Sequence, residues 1–324
     1  MKKTICVLLL CFMALSLFAA FDAAYSDRLF YNEREYQKDY DYLLSALKTA
    51  SSNEEKAEIL WRLSRDQLTL TDENKDSMTE EQRLAGYGDY GANDKPKSSD
   101  TSSAYYYAYT SLSLKETPNA YHWEASAVGR AGQEHGALNS LGKASPMRKL
   151  ETKALEEFSS FDLETDSWYV LSILYDALPG KPISFGDKNV AISYIRKCLM
   201  TQDSTNRTNG SNFLELAEQL AKRNWDAKKR TKEFGNMLKD YNKNASKGAT
   251  EMNKYYEGYL ASQGAPFYVS SDLASLSDKD EAVALLKYAS SAIESRLKEA
   301  SGEKAKETME KELSKIQAKL KEWS

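Results

Sequence analysis

Two apolar stripes at helical spacing in residues 166–200 constrain the fold more than any other feature of the sequence. The first stripe occupies positions i, i+3, i+4 and i+7, filled by Trp168, Leu171, Ser172 and Tyr175. The second follows a stretch rich in glycine and proline and occupies i, i+4 and i+7, filled by Ala191, Ile195 and Cys198. These stripes predict two helices joined as a hairpin, and each stripe needs a neighbouring element to bury it.

Comparable stripes recur along the chain, around Trp61, Trp123, Phe213 and Ala282. Repeated hairpins that bury each other's apolar faces predict an all-α protein built as a stacked helical array. The spacing of Met309, Leu313, Ile316, Leu320 and Trp323, in steps of four and three, predicts a narrow apolar seam on a last helix. We expect this helix, residues 303–324, to cap the array, and a coiled-coil dimer seam is the alternative, which leaves a homo-oligomer open.

The residue types in these two stripes resemble the tetratricopeptide repeat, which has a period of about 34 residues. The first helix has a large aromatic residue, leucine, a small residue and tyrosine, and the second has a small, a bulky apolar and a small residue. A sharper resemblance rests on residues 59–68 (ILWRLSRDQL), 119–148 and 168–199. There the chain resembles exported tetratricopeptide-repeat proteins of spirochaetes and, more distantly, the T component of certain TRAP transporters. A weaker likeness is to the tetratricopeptide domain of the regulator of microtubule dynamics family.

This resemblance implies a helical-hairpin superhelix without enzymatic activity that binds another protein through a curved surface. For the TRAP-associated relatives it also implies contact with a periplasmic substrate-binding protein, or passage of an apolar small ligand through the fold. Repeat motifs identify an architecture better than they identify a partner.

The N-terminus has the pattern of a secretory signal. Two lysines precede an apolar run of residues 5–20, and small residues follow it. The run is short of the roughly 20 residues that span a bilayer, which disfavours an uncleaved anchor. Lipidation would need Cys11, whose preceding leucines do not form a good lipobox. We therefore predict a signal peptide at residues 1–24, a repeat domain at 25–302, and export to the periplasm or cell envelope.

Charge, hydropathy and cysteine content argue against nucleic-acid binding, a membrane span after the signal and an intrachain disulfide. The formal net charge of −4 argues against non-specific nucleic-acid binding. No apolar run after the signal is long enough to cross a membrane. Removal of the signal leaves Cys198 as the only cysteine, so no intrachain disulfide can form, and its place in an apolar stripe predicts a buried packing residue.

The loop PGKPISFGD, residues 179–187, is longer than a usual turn between repeat helices. Insertions in solenoids often serve binding, so this loop is the first candidate for contact with a partner or ligand. Its candidate residues are Pro179, Lys181, Pro182, Ile183, Phe185 and Asp187. Tyr105 and Tyr109 are added as aromatic residues expected on an exposed helix surface. The alternative for the loop is a rigid structural turn.

No constellation of residues predicts catalysis, a metal or a cofactor. His122 and His135 are the only histidines, and their spacing matches no metal motif, so they are expected to be ordinary packing or surface residues. A basic run comprises Lys222, Arg223, Lys228, Lys229, Arg230 and Lys232. It could meet an acidic partner or anionic headgroups, but the expected arrangement is a solvated helix face.

Four further local features are predicted from the sequence, namely a helical stretch, a break at a proline, a helix pairing and a loop. Residues 25–50 contain no proline or glycine and predict one helical stretch. Pro146 is expected to separate a helix at 135–145 from one at 147–158. The helix at 212–224 is expected to pair with the next segment, around Phe234. Residues 86–103, rich in Gly, Asn, Asp, Pro and Ser, predict a mobile loop.

Overall fold

A computed structural model describes residues 21–88, 95–159, 161–202, 209–300 and 302–323, without the side chains of residues 137–140. The predicted signal falls outside these residues except for its last four, and so do residues 89–94 of the predicted loop. The described residues are mainly helical and contain no β-strand, which confirms the all-α class.

The helices are α1 Ala23–Asp27, a π-helical turn Arg28–Glu33, α2 Tyr36–Thr49, α3 Asn53–Asn74, α4 Glu80–Tyr87, α5 Ala104–Leu114, α6 Pro118–Glu134, α7 Ala137–Glu157, α8 Glu164–Ala177, α9 Lys188–Thr201, α10 Gly210–Arg223, α11 Ala227–Lys243, α12 Ala249–Asn253, α13 Tyr256–Ser262, α14 Asp278–Glu299 and α15 Glu303–Trp323.

Side-chain caps explain where many of these helices begin. Ser103 and Thr117 each accept a hydrogen bond from the backbone N–H three residues on, and Pro118 occupies the first position of α6, where its missing N–H costs nothing. The predicted single helix over residues 25–50 is wrong. Arg34 adopts the left-handed conformation, with φ of 57°, and so separates the π-helical turn from α2 without any glycine or proline.

Successive helices from α5 to α10 pack against each other in chain order, which forms a row of helical pairs. Pro146 lies inside α7, so the prediction that it separates two helices is wrong. Ala144 before it and Ala154 and Leu155 after it are all buried. We attribute the continuity of α7 to this burial, which offsets the hydrogen bond that proline cannot donate.

The partner of α10 is α14, not the segment that follows it, so the predicted pairing is wrong. Leu285, Leu286 and Ala289 of α14 join the core that contains Phe213 and Leu216 of α10. Helix α11 packs instead on α13, and the two form a separate small core with Leu273. Helices α11–α13 are therefore an insertion between the two helices of one pair.

The last helix, α15, packs on α14 and α10. Ile316 of its seam is fully buried, and the other seam residues lie against the same core, so this chain's own helices fill the seam. Helix α15 also reaches the N-terminal segment, where Arg34 donates a hydrogen bond to the Thr308 hydroxyl at 3.3 Å. Within the described residues, none of the helices combines the length and hydropathy that crossing a bilayer requires.

Candidate functional site

The loop 179–187 connects α8 to α9 and is closed by its own backbone. The N–H of Gly186 donates to the carbonyl of Pro179 at 3.1 Å, and the N–H of Asp187 donates to the carbonyl of Tyr175 at 3.0 Å. A side chain at Gly186 would begin 1.9 Å from the carbonyl oxygen of Leu178, so only glycine fits this approach. The Asp187 carboxylate caps α9 by accepting from the N–H groups of Asn189 and Val190. Asp187 therefore has a structural role.

The other candidate side chains of the loop divide into exposed and packed groups. Pro179, Lys181 and Pro182 are exposed, and Ile183 exposes 74% of its surface, more than any other large apolar residue that the structure describes. Phe185 points inward, with its ring 5.0 Å from that of Tyr175 between centroids. The guanidinium of Arg148, from α7, lies 4.0 Å above the Phe185 ring. The loop thus joins α7 through this stacked pair.

Arg148 also lines an open cleft of about 590 Å³, which we call the basic cleft. Helices α7, α8 and α9 form its walls together with the segment 247–254. Its lining contains five cationic side chains, which are Arg148, Lys149, Lys153, Lys247 and Lys254. Glu156 and Glu251 are its carboxylates, so the cleft carries a formal excess of three positive charges.

Both carboxylates are already engaged. Glu156 accepts hydrogen bonds from the N–H and the hydroxyl of Thr250, which ties α7 to α12. Glu251 forms an ion pair with Lys254. Among the cations, Lys153 donates to the Tyr121 hydroxyl at 2.7 Å and lies 3.6 Å from Glu116.

The remaining three cations, Arg148, Lys149 and Lys247, face no carboxylate within ion-pair distance in the described part of the chain. Lys149 and Lys247 are exposed, and Arg148 is half-buried. An anion that entered the cleft would therefore meet positive charges that are not already neutralised.

The floor of the cleft is apolar and aromatic. Leu171, Tyr175 and Tyr194 are buried members of the main core, and all three also line the cleft. The Tyr194 hydroxyl donates to the carbonyl of Thr250 at 3.0 Å. Burial raises the pKa of Tyr194 well above its usual value, so this phenol stays neutral and adds no competing negative charge.

The two tyrosines proposed with the loop lie elsewhere. Tyr105 is only 1% exposed and packs with Tyr87 and Val128 in a different cluster, and half-buried Tyr109 packs against that cluster. The prediction that Tyr105 is exposed is therefore wrong, because its ring is part of the core. Sequence reasoning missed Arg148, Lys149 and Lys247, because α7 and the segment before α12 are about 100 residues apart.

The basic run of residues 222–232 is also not a wholly solvated face. Arg223 and Arg230 are buried, and with Arg196 they meet three buried carboxylates, Glu257, Asp278 and Glu281. We call these six residues the buried arginine network. Arg196 binds Glu281 through two parallel contacts of 2.5 and 2.7 Å. Burial acts to raise the pKa of Glu281, but Arg196 and Arg230 outweigh it and hold this pKa at about 2.

His122 is buried and paired, so it is a packing residue in the sense predicted. Its Nδ1 lies 3.1 Å from the buried Glu151 carboxylate and 3.4 Å from the Ser167 hydroxyl. One ring nitrogen thus faces both groups, whereas a catalytic triad needs one partner on each nitrogen. Cys198 is buried as predicted, and burial raises its thiol pKa. No cluster of three metal-ligating side chains occurs within the residues that the structure describes.

Comparisons with known proteins add no family assignment. No family model matches this chain, and neither a curated protein nor a solved structure does.

Proposed function

We propose that this protein is an exported, non-enzymatic helical-repeat scaffold of tetratricopeptide type, which binds another protein through its helical surface. The observation that carries the proposal is the basic cleft beside the exposed loop 179–187. The paired helices α5–α10 with α14 support the repeat architecture, and the resemblance in residues 59–68, 119–148 and 168–199 supports the tetratricopeptide type and the export.

The basic cleft also favours one of the two ligands that the resemblance implies, a protein and an apolar small molecule. A purely apolar small molecule would have to desolvate the cationic walls of the cleft without any hydrogen bond in return. A protein segment can place polar groups against those cations and an apolar side chain against the aromatic floor. Binding of another protein, such as a periplasmic substrate-binding protein, is therefore the function we put first.

The test compares two measurements on the purified mature protein. Affinity capture from an envelope extract should yield a protein partner that also binds the purified protein in a second assay. Native mass spectrometry of the freshly purified chain detects any small ligand that stays bound. A small ligand without a protein partner would overturn the proposal in favour of a transport accessory role.

A further inference from the structure

Arg148 differs from the buried arginines of this protein in what its guanidinium contacts. Arg65 contacts Asp27, Asp39 and Asp66, and Arg196 contacts Glu257 and Glu281. The guanidinium of Arg148 lies on the Phe185 ring and has no carboxylate partner among the described residues. A cation–π contact uses the face of the guanidinium, so its N–H groups can still donate hydrogen bonds to another group. That geometry suits two parallel hydrogen bonds to a carboxylate.

The charge around Arg148 favours an anion over other ligands. Lys149 and Lys247 line the same cleft and also lack an ion-pair partner in the described part of the chain. The whole chain carries a formal net charge of −4, so this positive excess is local and opposes the overall charge. A local positive field of this kind attracts an acidic group to one place on the surface and disfavours basic groups there.

The shape of the cleft favours a protein segment over a small anion. The cleft is open to solvent, whereas a typical small-molecule site encloses most of its ligand. Ile183 is largely exposed and lies two residues before Phe185, whose ring contacts Arg148 of the cleft lining. A bound segment can therefore contact the cations, the aromatic floor and Ile183 together.

We propose that the basic cleft binds an acidic segment of the protein partner, with Arg148 as the residue that selects a carboxylate and Ile183 as an apolar contact at the rim. This inference rests on the proposed function and adds the chemical class of the bound segment. It assigns specificity to a residue outside the loop 179–187, in the preceding helix.

The experiment uses the mature full-length protein with a photo-cross-linking amino acid, p-benzoylphenylalanine, in place of Ile183. After irradiation in envelope extract, mass spectrometry identifies the cross-linked peptides. We expect segments in which Asp and Glu outnumber Lys and Arg, and lower yields at about 0.5 M salt because salt screens exposed charges.

Two variants in the same background test the role of Arg148. Arg148→Glu should lower the cross-linking yield roughly tenfold, because it places like charges in contact. Lys306→Glu is the matched control, since Lys306 is an exposed cation on α15, which lines no part of the cleft. That control should leave the yield unchanged. Circular dichroism of each variant shows that it is folded.

Failure of this inference can be separated from failure of the proposed function. If a partner is captured but its cross-linked segments are neutral or basic, or Arg148→Glu captures it equally well, the acidic-segment inference is overturned and the scaffold role stands. If affinity capture yields no protein partner for the unmodified chain, the scaffold role itself is overturned. An organic anion bound in native mass spectra, with no cross-linked peptide, would also overturn the inference.

Discussion

The buried arginine network and the basic cleft both contain cationic and carboxylate side chains, but they differ in whether the charges are neutralised. In the network, three arginines meet three carboxylates away from water, so the formal charges cancel. In the cleft, five cations meet two carboxylates at an open surface, and three of the cations have no acidic partner in the described part of the chain. The difference is that the charges of the network neutralise one another inside the fold, whereas the cleft presents an excess of positive charge at the surface.

The network also joins the inserted helices to the main row. Arg196 belongs to α9, Glu257 to α13 and Glu281 to α14, and Arg223 and Arg230 add α10 and α11. Tyr268 contributes a hydrogen bond from its hydroxyl to Glu281 at 2.9 Å. Five helices thus meet at one set of charges in which each group has two partners, so loss of any one charge would leave a net buried charge that the rest of the network does not neutralise.

The largest expected effect is on stability when the network is broken. Arg196→Met should lower the free energy of unfolding by about 3–5 kcal/mol, because Glu281 and Glu257 lose a buried partner. Urea unfolding followed by circular dichroism measures this change. A loss below about 1 kcal/mol would show that the network does not hold the inserted helices in place.

Acid should weaken the network at a defined pH. The pKa of Glu281 is about 2 in the fold and 4.5 as its ordinary value, so it is depressed. Its contribution is present above pH 4.5 and is lost as pH falls toward 2, an effect on the order of 3 kcal/mol. Urea unfolding between pH 5 and pH 3 follows this loss in the unmodified protein.

The variant Arg196→Met sharpens the acid measurement. Glu281 would then keep Arg230 as its arginine partner, so its pKa should rise and the loss of stability should begin at a higher pH. An acid transition at the same pH in both proteins would contradict the assignment of this pKa shift to Arg196.

A substitution in the cleft should change stability little and partner binding more. Arg148→Met removes a stacking contact with Phe185 and no ion pair that the structure shows, so the free energy of unfolding should fall by only about 0.5–1 kcal/mol. Its partner binding should nevertheless weaken, as measured by titration of the purified partner. A stability loss as large as that of Arg196→Met would make Arg148 a structural residue.

The smallest expected effect concerns the buried pair His122 and Glu151, and only its sign is predicted. Burial lowers the pKa of His122, but the charge of Glu151 outweighs burial and raises it above its ordinary value. The stability that protonated His122 contributes is therefore full below its unfolded pKa of about 6.5 and is lost as pH rises through the folded value. Burial raises the pKa of Glu151, which acts in the same direction.

Stability should thus decrease as pH is raised above about 6.5. In Glu151→Gln the histidine keeps its burial without the carboxylate, so the slope should reverse and stability should increase with pH. Urea unfolding at a series of pH values compares the two proteins. Equal slopes would show that the pair does not titrate together.

Helix periodicity and loop composition allowed much of the fold to be predicted from the sequence. The stripe of Trp168, the burial of Cys198 and the start of α5 follow from local spacing and capping, which depend on neighbours in sequence. The pairing of α10 with α14 could not be predicted, because α11 and α14 both carry apolar residues at helical spacing and only the tertiary packing shows that α14 contacts α10. The loop 179–187 could be identified as a candidate because its length and its glycine and proline content are visible in one contiguous stretch of sequence.

The site depended on contacts that sequence spacing does not encode. Nothing in the pattern around Arg148 separates it from Arg223, because both are arginines on amphipathic helices. Each guanidinium lies 4.0 Å from an aromatic ring, Trp225 for Arg223 and Phe185 for Arg148. The difference is that Arg223 also meets Glu257 and Asp278, whereas Arg148 meets no carboxylate among the described residues. Only tertiary contacts therefore show which cation is neutralised and which is available.

The most direct test of the claim that the cleft is the binding site is a double-mutant cycle between Arg148 and an acidic residue of the cross-linked partner segment. Arg148→Met and neutralisation of that partner residue are made singly and together, and the dissociation constant of each complex is measured. We predict a coupling energy of about 1 kcal/mol or more, since residues in contact do not act independently. Strictly additive effects, with Arg148→Met binding as tightly as the unmodified protein, would contradict the account.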